Sequence, residues 1–451
     1  MIPNLPTSNP TTAAAPELKR RKLADQIHES LKPFDIHPVD SDEGSPAPSI
    51  NGLRRGLIAP EEEGVKIVTL LDVNGVLYWS AGAPPPSGPR RAQRAGLLSL
   101  FGGEPVTTVK LQSLGVNEIA QKLEEMDQSF TPQGPAKLRQ IQNGTILPAE
   151  VQPVASGKIL LFVHGTFSND DNLIGELNQI QEGQKFLNDA GQVYDQVLAF
   201  DHYTVSRSPI LNALELARKF ASSAASLDII CHSRGGLVTR WFCEVLDKVP
   251  NRTRRAVLVG SPIAGTSLAA PDKLRATLNL FTNLGAALGE GLSLVPFLSA
   301  AGAVMKLAFS VAGAATKVPL IDAGVAMIPG LCAQSRILNN NELAALLWPP
   351  KELPRYFAVT STFRPAAVGW EFWKVFCDWT QVASAAEDRI FSGANDLVVD
   401  TVSMTENIQV ENTLAFGDAD HVYHTIYFRE PRAIHFIRQC LGVGEAVAAG
   451  R

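Results

Sequence analysis

The sequence is poor in cysteine and uses it without pattern. Cys231, Cys243, Cys332, Cys377 and Cys440 are the five in 451 residues, an odd and scattered set with no Cys-x-x-Cys pair. That excludes a disulfide framework and a thiolate zinc site, and it fits a reducing compartment. A long basic stripe is also missing. The net charge is −5, and the cluster Lys19-Arg20-Arg21-Lys22 sits in a polar tail, so nucleic acid is not an expected partner. Met1–Pro16, rich in Pro, Thr, Asn and Ala, has neither the basic start nor the apolar core of a secretory signal. A cytoplasmic location is therefore expected, with export by another route left open. No internal repeat is evident. Nor is there an unbroken apolar stretch of the roughly 20 residues that a membrane span requires. The uncharged run Gly291–Met305 is shorter and is interrupted by Pro296 and several glycines.

What remains is an ordinary globular composition, 45% hydrophobic and 19% charged, in a chain long enough for one large domain with smaller additions. Residues 1–56 read as a disordered tail or linker: prolines recur, and Asp40-Ser41-Asp42-Glu43-Gly44-Ser45-Pro46 offers nothing to a core. A short helix over Glu17–Leu31 is compatible with the pattern. Residues 57–150 read as an accessory α+β region. It contains a β-hairpin over Val65–Trp79 about the turn pair Asn74-Gly75, a Pro- and Arg-rich loop over Ala83–Arg94 and helical spacing over Val116–Met126.

From about 155 the pattern changes. Short continuous apolar runs recur at Lys158–Val163, Val197–Phe200, Leu227–Cys231, Ala256–Val259 and Tyr356–Thr360, with helical stretches at Pro209–Ser222 and Leu237–Lys248 between them. Strands apolar on both faces and alternating with helices predict an α/β domain over 151–445, built on a doubly wound, mostly parallel sheet. The apolar stretch at about 267–331 interrupts the alternation and reads as a helical cap. Between Leu284 and Val318 the charges are Glu290, Lys306 and Lys317 alone. Such a cap could touch a lipid interface as it moves.

The chemistry concentrates at Cys231-His232-Ser233-Arg234-Gly235-Gly236, where a strand runs into a tight turn and a helix follows. The pattern is Gly-x-Ser-x-Gly with cysteine for the first glycine. A nucleophilic serine needs such a turn so that its hydroxyl projects clear of the sheet edge. The plain alternative is a serine N-cap on an ordinary βα turn. Serine is a weak nucleophile without a base, and the base needs an acid behind it. Downstream, Asp396 lies in the turn Gly393-Ala394-Asn395-Asp396 before Leu397-Val398-Val399, with Asp400 and Asp388 in weaker contexts; Asp396 could also be a simple Asx-turn residue. His421 and His424 share the loop Gly417–Thr425, while His435 falls in the final helical run, Ile434–Leu441.

The segment Cys231–Val238 resembles the nucleophile elbow of bacterial lipases and esterases of the α/β-hydrolase superfamily. Phe162-Val163-His164-Gly165-Thr166-Phe167 resembles their oxyanion loop, Gly260–Ser267 the loop before the lid, and Gly393–Val399 the acid loop. The resemblance covers roughly 155–442. It implies Ser233 as nucleophile, Asp396 as acid and a histidine as base. The spacing to the final helix favours His424, with His421 as the alternative. The backbone N–H groups of Thr166 and Arg234 are the expected oxyanion donors, with His164 structural and His232 packed beside the nucleophile. No cofactor or metal is implied. The expected activity is hydrolysis of a small-molecule or lipid carboxylic ester. A thioesterase or acyltransferase would use the same groups, and an interaction or effector module could use the fold as a scaffold. A peripheral membrane contact through 284–318 and a protein partner for the N-terminal region are further expectations; the sequence does not identify that partner.

Overall fold

The structure, a computed structural model, describes residues 14–32, 36–39, 65–73, 76–81, 104–112, 119–269, 278, 279, 282, 328–336, 340–348, 353–363 and 393–444. The chain divides into two compact units, Met1–Val116 with Leu278–Thr316, and Asn117–Thr277 with Lys317–Arg451. The division therefore falls at residue 116 rather than at the 150 read from the sequence.

The first unit holds helix α1 (Ala14–Leu31) and strands β1 (His37–Pro38), β2 (Val65–Val73), β3 (Val76–Ala81) and β4 (Glu104–Gln112). The strands form an antiparallel sheet in the order β1-β4-β2-β3. The expected hairpin is β2–β3; its turn, Asn74-Gly75, lies outside the described residues, as does the loop at Ala83–Arg94. Part of the presumed tail is structured, because Ile27, Leu31 and Ile36 are apolar enough to be buried here. Trp79 is buried as well. Its indole N–H donates to Thr282 Oγ1 (2.8 Å) and its backbone N–H to Asn279 Oδ1 (2.9 Å). Asn279 and Thr282, inside the stretch read as a cap, thus belong with this first unit. Most of 267–331, including all of 284–318, lies outside the described residues. No helix among the described residues is long and apolar enough to cross a membrane.

The second unit opens with α2 (Ile119–Phe130), β5 (Ala136–Gln142) and β6 (Thr145–Glu150), all before the boundary expected at 151. Then follow β7 (Lys158–Val163), α3 (Asp170–Asn178), α4 (Gln181–Val193), β8 (Gln196–His202), α5 (Pro209–Lys219), β9 (Ser226–His232), α6 (Gly235–Arg240) and β10 (Arg254–Val259). The short helices α7 (Pro329–Cys332) and α8 (Asn341–Ala345) precede β11 (Arg355–Ser361), β12 (Val410–Phe416) and α9 (Pro431–Leu441). The eight strands lie in the order β12-β11-β10-β9-β7-β8-β5-β6. From β8 to β12 every pairing is parallel, and β5 and β6 add an antiparallel edge. This is the doubly wound, mostly parallel sheet that the alternation of apolar runs and helices predicts.

The parallel strands β7 to β11 are largely apolar because helices cover both faces, whereas β12 at the edge is half exposed. Side chains alternate across a strand, so Phe162, Ile230, Val257 and Val359 join Leu173, Phe186, Ile434 and Ile437 in one core. Their neighbours Leu161, Ile229 and Leu258 meet Leu216 and Leu237 in the other. Fully burying one such side chain stabilises by roughly 1.5–3 kcal/mol. Helix α9 shows how local sequence sets an element. Pro431 opens it, Ile434, Ile437 and Leu441 make its inner stripe, and Gly442 (φ +64°) ends it in a left-handed cap. The helix expected over Leu237–Lys248 differs in detail: α6 gives way at Trp241 to a π-helical turn that runs to Leu246.

Candidate active site

Strand β9 ends at His232, and Ser233 follows in the left-handed region (φ +52°). A residue with a Cβ pays for that conformation, and here it is held by both neighbours. Ser233 N–H donates to Val259 O at 2.9 Å, and its carbonyl accepts from Gly236 N–H at 2.9 Å as α6 begins. The flanking glycines are sterically required. A Cβ on Gly235 would lie 2.4 Å from Val163 O, and one on Gly236 would lie 2.5 Å from Ser261 Cβ. Cys231, where the pattern has glycine, is fully buried in the core, and burial pushes its thiol up to about 12. It is filler rather than a reactive group.

The loop between β11 and β12 carries Asp396. Asp396 has no exposed surface. Its Oδ1 accepts from the N–H groups of Val398 (3.1 Å) and Val399 (2.8 Å), and its Oδ2 lies 2.8 Å from His424 Nδ1. Oδ1 thus closes the expected Asx turn while Oδ2 is left to the imidazole. The second bond fixes the imidazole tautomer: Nδ1 carries the proton and Nε2 keeps its lone pair. Asp396 O also accepts from His424 N–H at 3.0 Å. The weaker candidates are placed elsewhere. Asp400 accepts from Ser267 N–H and Oγ, and His435 is exposed on α9. His421 is exposed at a left-handed turn (φ +56°). Asp388 lies outside the described residues.

His232 ties the elbow to this pair. Its Nε2 donates to His424 O at 2.9 Å, and the two rings lie 4.7 Å apart. Burial first, then the nearness of His424, pushes its imidazole down to about 3, so it is a neutral strut. Ser233 Oγ makes no hydrogen bond among the described residues.

The loop after β7 lies against the elbow. A Cβ on Gly165 would come within 2.9 Å of Ser233 Cβ. Among the described residues, the backbone N–H groups of Thr166 and Arg234 donate to no other residue. The loop is braced from behind. Phe167 (φ +54°) donates its N–H to Thr204 Oγ1. Asp127, on α2, accepts from the N–H groups of Thr204, Val205 and Ser206 at 2.7–2.9 Å. The Arg234 side chain is fully buried and donates to Arg207 O at 2.6 Å. Burial brings its guanidinium down to about 10.

A second buried cluster lies under this loop. His164 Nε2 accepts from His202 N–H at 3.1 Å, and burial pushes the His164 imidazole down to about 4. Arg139 pairs with Asp201 and with Asp171. Asp170 has no exposed surface, and neither of its oxygens has a hydrogen-bond partner among the described residues. Burial, and then neighbouring Asp201, hold its carboxyl well above the ordinary range, with Arg139 offsetting this only in part. His164, Asp170 and Asp201 bring potential metal-ligating atoms within 4.8 Å of one another. A metal fits this set poorly, because the His164 lone pair is already used and Arg139 already neutralises Asp201. A proton on Asp170 resolves the charge without either conflict.

Sequence reasoning missed Asp127, Asp170 and Tyr427, whose hydroxyl lies 2.8 Å from Asp396 Oδ2. A family model described as a domain of unknown function (DUF7379) matches residues 126–442. No curated protein matches the chain. Among solved structures, the chain is similar to the esterase RhEst1 from Rhodococcus sp. ECU1013, at 15% identity over 65% of this chain and 94% of that one, with a TM-score of 0.36. Lipase 1 from Pelosinus fermentans matches at 12% identity over 60% and 92%, with a TM-score of 0.35. A thermophilic esterase from Thermogutta terrifontis matches at 14% over 64% and 90%, with a TM-score of 0.31. Likeness this distant says nothing of substrate.

Proposed function

The chain belongs to the DUF7379 family, and from that premise and the site geometry we propose that it is a serine hydrolase cleaving carboxylic esters, of lipase or esterase type, through an acyl-enzyme. The observation that supports this best is the 2.8 Å contact between His424 Nδ1 and Asp396 Oδ2, on a loop whose His424 carbonyl is bonded to the residue before Ser233.

In this reading Ser233 Oγ attacks the ester carbonyl carbon while His424 Nε2 takes its proton. Asp396 stabilises the imidazolium, and the N–H groups of Thr166 and Arg234 receive the oxyanion. Each such donor is worth on the order of 3 kcal/mol of barrier. Collapse expels the alcohol, protonated by His424. Water, deprotonated by the same imidazole, then attacks the acyl-serine, and the acid leaves as Ser233 regains its proton.

The test is turnover of p-nitrophenyl esters of rising chain length by the full chain and its variants. Ser233→Ala and His424→Ala should reduce turnover to background, Asp396→Ala should lower it by orders of magnitude, and His421→Ala should retain most of it. An inactive full chain, or a Ser233→Ala variant with parental turnover, would overturn the reading.

A further inference from the structure

Tyr427 follows His424 by three residues, and its hydroxyl is 2.8 Å from Asp396 Oδ2. That is the same oxygen that lies 2.8 Å from His424 Nδ1. Oδ1 is already occupied by two backbone N–H groups, so the fully buried carboxylate meets four donors, and Oδ2 divides its charge between a neutral phenol and the imidazole. The phenol is a permanent donor, since burial and the adjacent carboxylate hold its ionisation well above the usual tyrosine range. The contact depends on Gly260 at the end of β10. Its φ is +54°, and a Cβ there would fall 2.6 Å from Tyr427 Cε2 and 3.2 Å from Asp396 Oδ2.

We propose that Tyr427 is a positioning residue that sets the basicity of His424 by sharing the carboxylate oxygen to which the imidazole is bonded. The proposal rests on the hydrolase reading above and deepens it. A hydrogen bond donated to an anion stabilises the anion and draws charge toward the donor. Less of that charge is then left to favour the imidazolium on the same oxygen. His424 consequently stays neutral, and able to accept the Ser233 proton, to lower pH than Asp396 alone would allow. Among the described residues, the titratable groups facing His424 are Asp396 from the loop after β11, His232 from the end of β9 and Tyr427 from its own loop. His232 is neutral and Tyr427 is protonated, so Asp396 is the one charge among the three. Any change in how its Oδ2 is hydrogen-bonded passes directly to the imidazole.

The experiment measures the pH dependence of kcat/KM for a p-nitrophenyl ester with the full chain, with Tyr427→Phe, and with 3-fluorotyrosine at position 427. The fluorinated ring keeps the shape and donates more strongly, so it tests the proposal even if Tyr427→Phe folds poorly. The imidazole Cε1–H resonance of His424 is titrated by NMR in parallel and needs no activity. Tyr427→Phe should raise the acid-limb midpoint and the His424 midpoint by about half to one pH unit, a 3- to 10-fold gain in proton affinity. Fluorotyrosine should lower both. A tyrosine that merely fills space would change the rate or the melting temperature and leave both midpoints in place, and that result would overturn the proposal. An inactive parent chain whose His424 midpoint still moves would overturn the hydrolase reading alone. An active one whose midpoints do not move would overturn the role of Tyr427 alone.

Discussion

Replacing Asp170 by asparagine should remove a charge problem that the fold has not neutralised. Both oxygens are sealed from solvent and without a hydrogen-bond partner among the described residues. Asp201 stands nearby, and the guanidinium of Arg139 is already divided between Asp201 and Asp171. Burial, followed by Asp201, raises the Asp170 carboxyl well above its ordinary value of 3.8. The folded chain therefore holds this proton more tightly than the unfolded chain. The associated stability is fully present below the unfolded value and is lost as pH rises through the folded value. At pH 7 the ceiling on that loss is about 4 kcal/mol, from about 1.36 kcal/mol per unit over roughly three units. Asparagine keeps the shape and cannot ionise. Asp170→Asn should thus exceed the parent in stability at pH 7 by up to that amount, and its advantage should vanish near pH 4. Urea unfolding followed by tryptophan fluorescence between pH 4 and 7.5 reads the difference directly. A variant that is less stable at pH 7 would refute the reasoning, because it would mean that the carboxylate is ionised and held by a partner such as a cation shared with His164 and Asp201.

Two further substitutions probe the backbone of the site. At Ser233 (φ +52°), relief of left-handed strain worth about 1–2 kcal/mol, less the entropy cost of glycine, predicts that Ser233→Gly is more stable by about 0.5–1 kcal/mol. Turnover should be lost at the same time; a fall in melting temperature would contradict the strain. At Gly260, an alanine would combine the left-handed cost with a Cβ 2.6 Å from Tyr427. Gly260→Ala should lose about 2–5 kcal/mol, and a variant that melts with the parent would show that Tyr427 moves aside freely.

The sequence reveals the parallel sheet because β7 to β11 are buried on both faces and so read as apolar runs. The elbow at Ser233 is legible because strand, small residues and helix follow one another within a few positions. The edge strands β5 and β6 are half exposed and give no such run, which is why the second unit begins earlier than the pattern suggests. Residues 14–39 are too short and polar to announce a core, yet Ile27, Leu31 and Ile36 are buried. The choice between His421 and His424 depends on which imidazole meets Asp396, a contact across 28 positions that no local pattern encodes. Asp170 and Asp201 meet for the same reason, and their cost appears only once Arg139 is seen to serve Asp171 as well. Tyr427 looks like one more buried aromatic until its hydroxyl is placed on Asp396.

The most direct measurement is a crystal structure of the full chain after reaction with a fluorophosphonate. The account predicts density continuous from phosphorus to Ser233 Oγ, with one phosphoryl oxygen about 3 Å from both Thr166 N and Arg234 N and His424 Nε2 turned toward the adduct. Phosphorus on any other side chain, or an adduct on Ser233 whose phosphoryl oxygens reach neither N–H group, would contradict it.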